Sequence, residues 1–194
     1  DLALSTDGTV WLPDSTAPVL WRLAPGADKV EVFVESDEFN SLQGVVALPD
    51  GNTLIVADYP GGMLRVDIGA RTVRRLDPPP NAALGGIDGI VRTPEGEIIA
   101  IQNGVRPNRV LRLAIDHAAE AVTRVDVLEA AHLNMASPSL GCLGPGGQYY
   151  FIGNANWAHF DEPGAKASAP KSVPIFVTKL KADAPAAKKN TKKK

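Results

Sequence analysis

"GVVALPDGNTLIVADYPGGMLRVD", residues 44–67, decides the fold. Two turn clusters, Pro49-Asp50-Gly51-Asn52 and Tyr59-Pro60-Gly61-Gly62, cut it into three short segments. The middle segment, "NTLIVADY", is apolar, β-branched and too short for a buried helix, so it reads as a strand buried on both faces. "MLRVDI" alternates in part, as a strand with one wetter face does. Gly in the turn between the first two segments supplies the backbone freedom of a tight hairpin.

The same phrase recurs on both sides. Upstream, from Leu2, runs "LALSTDGTVWLPDSTAPVLWRLAPGADKVEVFVE". Downstream, from Gly86, runs "GIDGIVRTPEGEIIAIQNGVRPNRVLRLAID", and from Ser137 "SPSLGCLGPGGQYYFIGNANW", resuming at "PIFVTKL". The turn glycines Gly8, Gly51, Gly96 and Gly147 are 43, 45 and 51 residues apart. A strand-built period of about 40 to 50 residues predicts an all-β propeller. The blades fall at about 2–35, 44–77, 87–129 and 137–180, with three strands in the last. Short helices are expected only around Ala118–Ala121 or Ala130–Met135. A four-bladed ring with an unfinished last blade leaves strand edges open. The expectation is therefore part of a larger, six-bladed ring whose N-terminal blades lie upstream of Asp1.

Composition bounds the function. The chain has 194 residues, 44% hydrophobic and 22% charged, with net charge −2. That is an ordinary soluble composition, open to cytoplasm or periplasm. No apolar run approaches the roughly 20 residues of a membrane helix. Residues 181–194 carry six Lys and one Asp, which leaves −7 on the rest. The tail reads as a disordered basic end, and the acidic body argues against nucleic acid lying along the fold. One cysteine, Cys142, excludes an internal disulfide. His117, His132 and His159 lack the spacing of a zinc cluster. No nucleophile elbow or phosphate loop is present.

In a meandering blade the start of the innermost strand and the end of the second share one mouth of the ring. That rule gathers Gln43, Asp88, Ser137 and Ser139 with Asp58, Tyr59, Gln102, Asn103, Asn154, Asn156 and Trp157. The rim is rich in oxygen and poor in basic groups, which suits a hard cation such as Ca²⁺ or Mg²⁺. Asp88 is either a ligand or catalytic carboxylate, or a cap on loop amides. Asp58 is either at the site or bonded to neighbouring backbone.

These units resemble blades of the six-bladed propellers that group senescence marker protein (regucalcin), gluconolactonase and luciferin-regenerating enzyme. The phrases that carry the resemblance are "GIDGIVRTPEGEIIAIQNG" and "LQGVVALPDGNTLIVADYPGGMLRVD". The resemblance implies a divalent cation (Ca²⁺, or Zn²⁺ or Mg²⁺) in the channel, bound by a Glu, an Asn and an Asp. Asp88 matches the Asp; Gln43 stands at the Asn, one methylene longer; the Glu would come from a further blade. It also implies a metal-dependent lactone or ester hydrolase acting on a sugar-like lactone. There Asp88 would be catalytic and a ligand with Gln43, and Asn103, Asn154, Asp58 and Trp157 would contact substrate. A non-catalytic propeller that binds a small molecule or a protein through the same mouth is the alternative, and an inactive partial copy the third.

Overall fold

The computed structural model describes residues 1–157 and 175–179. These form four antiparallel sheets, the four blades of a β-propeller. The first blade is β1 (Ala3–Leu4), β2 (Val10–Pro13), β3 (Val19–Leu23) and β4 (Glu31–Glu35). The second is β5 (Leu42–Ala47), β6 (Thr53–Asp58), β7 (Gly62–Asp67) and β8 (Thr72–Arg75). The third is β9 (Ile87–Arg92), β10 (Ile98–Gln102), β11 (Arg109–Ile115) and β12 (Val122–Ala130). The fourth is β13 (Gly141–Leu143), β14 (Gln148–Ile152) and β15 (Ile175–Lys179). Each sheet is a meander in chain order, as the four-fold phrase predicts. The sheets run from Ala3 to Glu35, Leu42 to Arg75, Ile87 to Ala130 and Gly141 to Lys179.

Burial explains the sequence pattern. Strands β6 and β10 are buried at every position, because each is sandwiched between two neighbouring blades. They therefore read as continuous apolar runs. The outer β4 and β8 face solvent and alternate. Three apolar clusters fill the seams between successive blades. Trp11, Leu20, Phe33, Leu54 and Val56 join the first to the second. Ile55, Met63, Ile87, Ile98 and Leu113 join the second to the third. Ile99, Ile101, Val110, Tyr149 and Phe151 join the third to the fourth. Fully burying each such side chain is worth roughly 1.5–3 kcal/mol.

Neither expected helix forms. At Ala118–Ala121 the chain turns instead: Asp116 Oδ1 accepts from Glu120 N (2.7 Å) and Ala121 N (3.2 Å), closing the β11–β12 hairpin. Ala119 and Ala131 both have positive φ, which ends any helix there. A 3₁₀ turn forms at Pro145–Gly147, and among the described residues no helix is long and apolar enough to cross a membrane. The insertion after Trp157, His159 and the basic tail lie outside the described residues.

Candidate functional site at the propeller mouth

Two dipeptides build the site. Leu42 pairs with Asp58 and Val45 with Val56, so Gln43 and Gly44 together oppose Ala57. Ile87 pairs with Gln102 and Ile90 with Ala100, so Asp88 and Gly89 together oppose Ile101. Each inner strand thus carries the same bulge at the same height. A bulge bends its strand and re-aims a side chain, here the polar one. The glycine lets the next blade close in. A Cβ on Gly44 would lie 2.6 Å from Ile90 N and 2.8 Å from Asp88 O, and one on Gly89 would lie 2.9 Å from Ser139 O. The "Gln-Gly" and "Asp-Gly" of the repeat therefore encode close-packed inner strands with a polar side chain at the mouth.

The mouth is an open cavity of about 520 Å³. Gln43, Asp88, Asn103 and Trp157 line it, together with Tyr59, Ser15, Ser41, Ser137 and Arg106. Four of the six sequence-predicted residues are thus brought together. Among the described residues Asp88 is the one carboxylate on its wall. Asn103 orients it: Asn103 Nδ2 donates to Asp88 Oδ2 (2.7 Å) and to Pro138 O (2.8 Å), and Asn103 Oδ1 accepts from Tyr59 Oη (2.8 Å). Burial pushes the Asp88 carboxyl above the usual carboxylate range, while hydrogen bonds from Asn103 and Ser139 pull the other way. Burial, and then the nearby Asp88 charge, also raise the Tyr59 phenol. Trp157 is 51% exposed and offers an indole face at the rim.

Asp58 and Asn154 are placed differently. Asp58 is 0% exposed. Its Oδ1 accepts from Asn40 N (3.0 Å) and Ser41 N (2.8 Å), and its Oδ2 from Asn40 Nδ2 (3.0 Å). It fastens the loop that enters the second blade and does not line the cavity. Asn154 Oδ1 accepts from Asn156 N (3.0 Å) and its Nδ2 donates to Asn156 Oδ1 (2.9 Å), so the side chain shapes its own turn. Gln102 is fully buried and donates to Ala83 O (2.9 Å) and Gly85 O (2.7 Å), another structural amide. The sequence reading of the rim did not name Arg106, which lines the cavity. Arg106 lies on the same second-to-third-strand loop as Asn103, three residues further on. The rule that collected Asn103 reaches it too, but "GVRPNR" reads most simply as a turn.

The donors available do not fit a divalent cation. Such a cation takes about six to eight oxygens. Here, among the described residues, the cavity offers a single carboxylate, Asp88, beside neutral hydroxyls and the Gln43 amide, whose Nε2 donates to Ser41 Oγ (3.1 Å). Asn103 turns its nitrogen, not its oxygen, toward Asp88. Among the described residues no three His, Cys, Asp or Glu side chains come together to hold a metal ion.

No protein-family model matches the chain, and no curated protein matches it. Solved structures do. The chain is similar to one from a nidogen/laminin complex (TM-score 0.63, 17% identity, covering 78% of this chain and 55% of that one). It is similar to luciferin-regenerating enzyme (TM-score 0.61, 16% identity, 93% and 60%). It is also similar to a putative gluconolactonase (TM-score 0.56, 20% identity, 78% and 53%). The chain thus spans a little over half the length of the structures it matches. The likeness establishes the propeller fold; at these identities it does not carry function.

Proposed function

We propose that the mouth is a hydrolase site that opens a small, hydroxylated lactone or ester. The single observation that carries this reading is Asp88: a carboxylate raised by burial, held in a set orientation by Asn103 and Tyr59, in an open polar cavity. A base whose pKa is raised toward the working pH is a stronger proton acceptor than an exposed aspartate. Water adds to the substrate carbonyl while Asp88 takes its proton. The ring or alkoxy oxygen then leaves with that proton, giving a hydroxy acid. Asn103 and Tyr59 hold Asp88 and are positioning residues. The Ser15 and Ser137 hydroxyls line the same cavity and are suited to sugar-like hydroxyls or the carbonyl oxygen; Trp157 supplies an apolar wall. No step is assigned to a metal. Melting temperature measured against Ca²⁺, Mg²⁺ and Zn²⁺ should stay flat, because Asp88 and Gln43 do not complete a cation shell.

A panel of lactones and esters, assayed with the wild type and Asp88→Asn, tests the reading. Turnover should rise with pH through the Asp88 titration and be lost in the variant. Absence of turnover on every substrate would contradict it. The alternative is a binding mouth without chemistry. One observation favours it: among the described residues no second carboxylate joins Asp88 on the wall to act as an acid.

A further inference from the structure

Among the described residues the cavity wall carries one formal positive charge, on Arg106. Its Nη1 donates to Asn103 O (3.1 Å), Val105 O (3.3 Å) and Asn108 Oδ1. The guanidinium is therefore anchored through one nitrogen, and among the described residues no carboxylate pairs with it. Arg75, on the second blade, differs. It lies 3.4 Å from Glu38 and 3.8 Å from Asp58, so its charge is answered within the protein. Asp88, the one acid among the described residues that shares the cavity with Arg106, is instead turned to Asn103.

Asn103 links the two groups. Its side chain holds Asp88 and its backbone carbonyl holds Arg106. Base and guanidinium are thus mounted on one residue, and Nε and Nη2 of Arg106 have no hydrogen-bond partner among the described residues. A guanidinium with two donors in a planar fork matches a carboxylate bidentately. We propose that Arg106 is the specificity residue of the mouth, and that the substrate is an anionic lactone or ester. It carries a carboxylate a few atoms from the carbonyl that Asp88 serves. This rests on the hydrolase reading and names its substrate class. It makes the sugar-like lactone that the resemblance implies an anionic one.

The test uses two matched lactones, one neutral and one bearing a carboxylate, with wild type, Arg106→Gln and Arg106→Lys. Circular dichroism melting confirms that each variant folds. The wild type should favour the carboxylated lactone by about tenfold or more in kcat/KM, an advantage that shrinks with added salt. Arg106→Gln should erase that ratio through KM. Arg106→Lys should keep part of it, because the charge remains and the fork does not. No preference in the wild type, or an equal loss of kcat on both lactones, overturns the proposal. If neither lactone is opened, the hydrolase reading fails, and direct titration with the open hydroxy-carboxylate decides the clamp. Binding weakened in Arg106→Gln upholds it; no binding, or binding unchanged in the variant, overturns it.

Discussion

Asp58 and Asp88 are two aspartates on neighbouring blades, both at the mouth end of a strand. One closes β6; the other sits in the bulge of β9. Their fates differ because of what surrounds the oxygens. Asp58 meets two backbone amides and an asparagine nitrogen and is sealed from solvent. Asp88 meets a side-chain amide that is itself braced by a tyrosine, and it keeps contact with an open cavity. The first arrangement makes a fastener. The second makes a carboxylate that titrates in place. Residue type and strand position do not separate the two; the donors brought by neighbouring loops do.

The largest expected effect breaks the comparison on the functional side. Asp88→Asn should lower hydrolysis by about 10²–10⁴-fold, the usual contribution of a positioned base. Steady-state assays at saturating and limiting substrate check this. Its melting temperature should not fall, since an amide accepts the Asn103 bond as well.

Asp58→Ala should do the reverse. It leaves two backbone amides and Asn40 without their acceptor, and stability should drop by about 2–4 kcal/mol. Urea unfolding measures that loss, and the fraction still folded should keep its ligand affinity. An Asp58 variant that loses binding while remaining fully stable would place it at the site after all.

Gly44→Ala tests the spacing between the two aspartates' blades. The added methyl would press on the Ile90 and Asp88 backbone, at a cost of about 1–3 kcal/mol and with a displaced Asp88. A smaller effect is expected of Tyr59→Phe, which removes the brace on Asn103. About 1 kcal/mol, or roughly fivefold in kcat, is the scale of one such hydrogen bond.

The fold was legible from sequence because the propeller repeats itself. Four versions of one phrase, each with a doubly buried second strand and a Gly-bearing turn, leave little alternative. The Gln43-Gly44 and Asp88-Gly89 pairs were legible for the same reason: they recur 45 residues apart, and the bulge that aims them recurs with them. Asp58 and Asn154 were not, since their partners are backbone groups of loops whose path no periodicity encodes. Arg106 was hidden by the turn residues around it. The helix expected at Ala118–Ala121 failed because the Asp116 carboxylate holds the Glu120 and Ala121 amides, local bonds that outweigh helix propensity over so short a stretch.

pH sharpens the comparison further. Turn aspartates such as Asp14, held at about 2 by hydrogen bonds from the Thr16 amide and Trp21, contribute stability that is present above the ordinary value and lost as pH falls. Asp88 works in the opposite sense. Its folded pKa lies above the ordinary 3.8, so its contribution is full below that value and fades as pH rises through the raised one. Asp88→Asn should therefore be more stable than wild type at neutral pH and level with or below it in acid. Thermal melts across the acid-to-neutral range read the crossing.

The most direct test is a ¹³C NMR titration of the Asp88 side-chain carboxyl in the folded protein. A midpoint above 3.8 that rises further in Asn103→Ala, where a bond to the charged form is lost, is the predicted result. A midpoint at or below 3.8, unmoved by that substitution, would make Asp88 an ordinary loop carboxylate and remove the basis of the site.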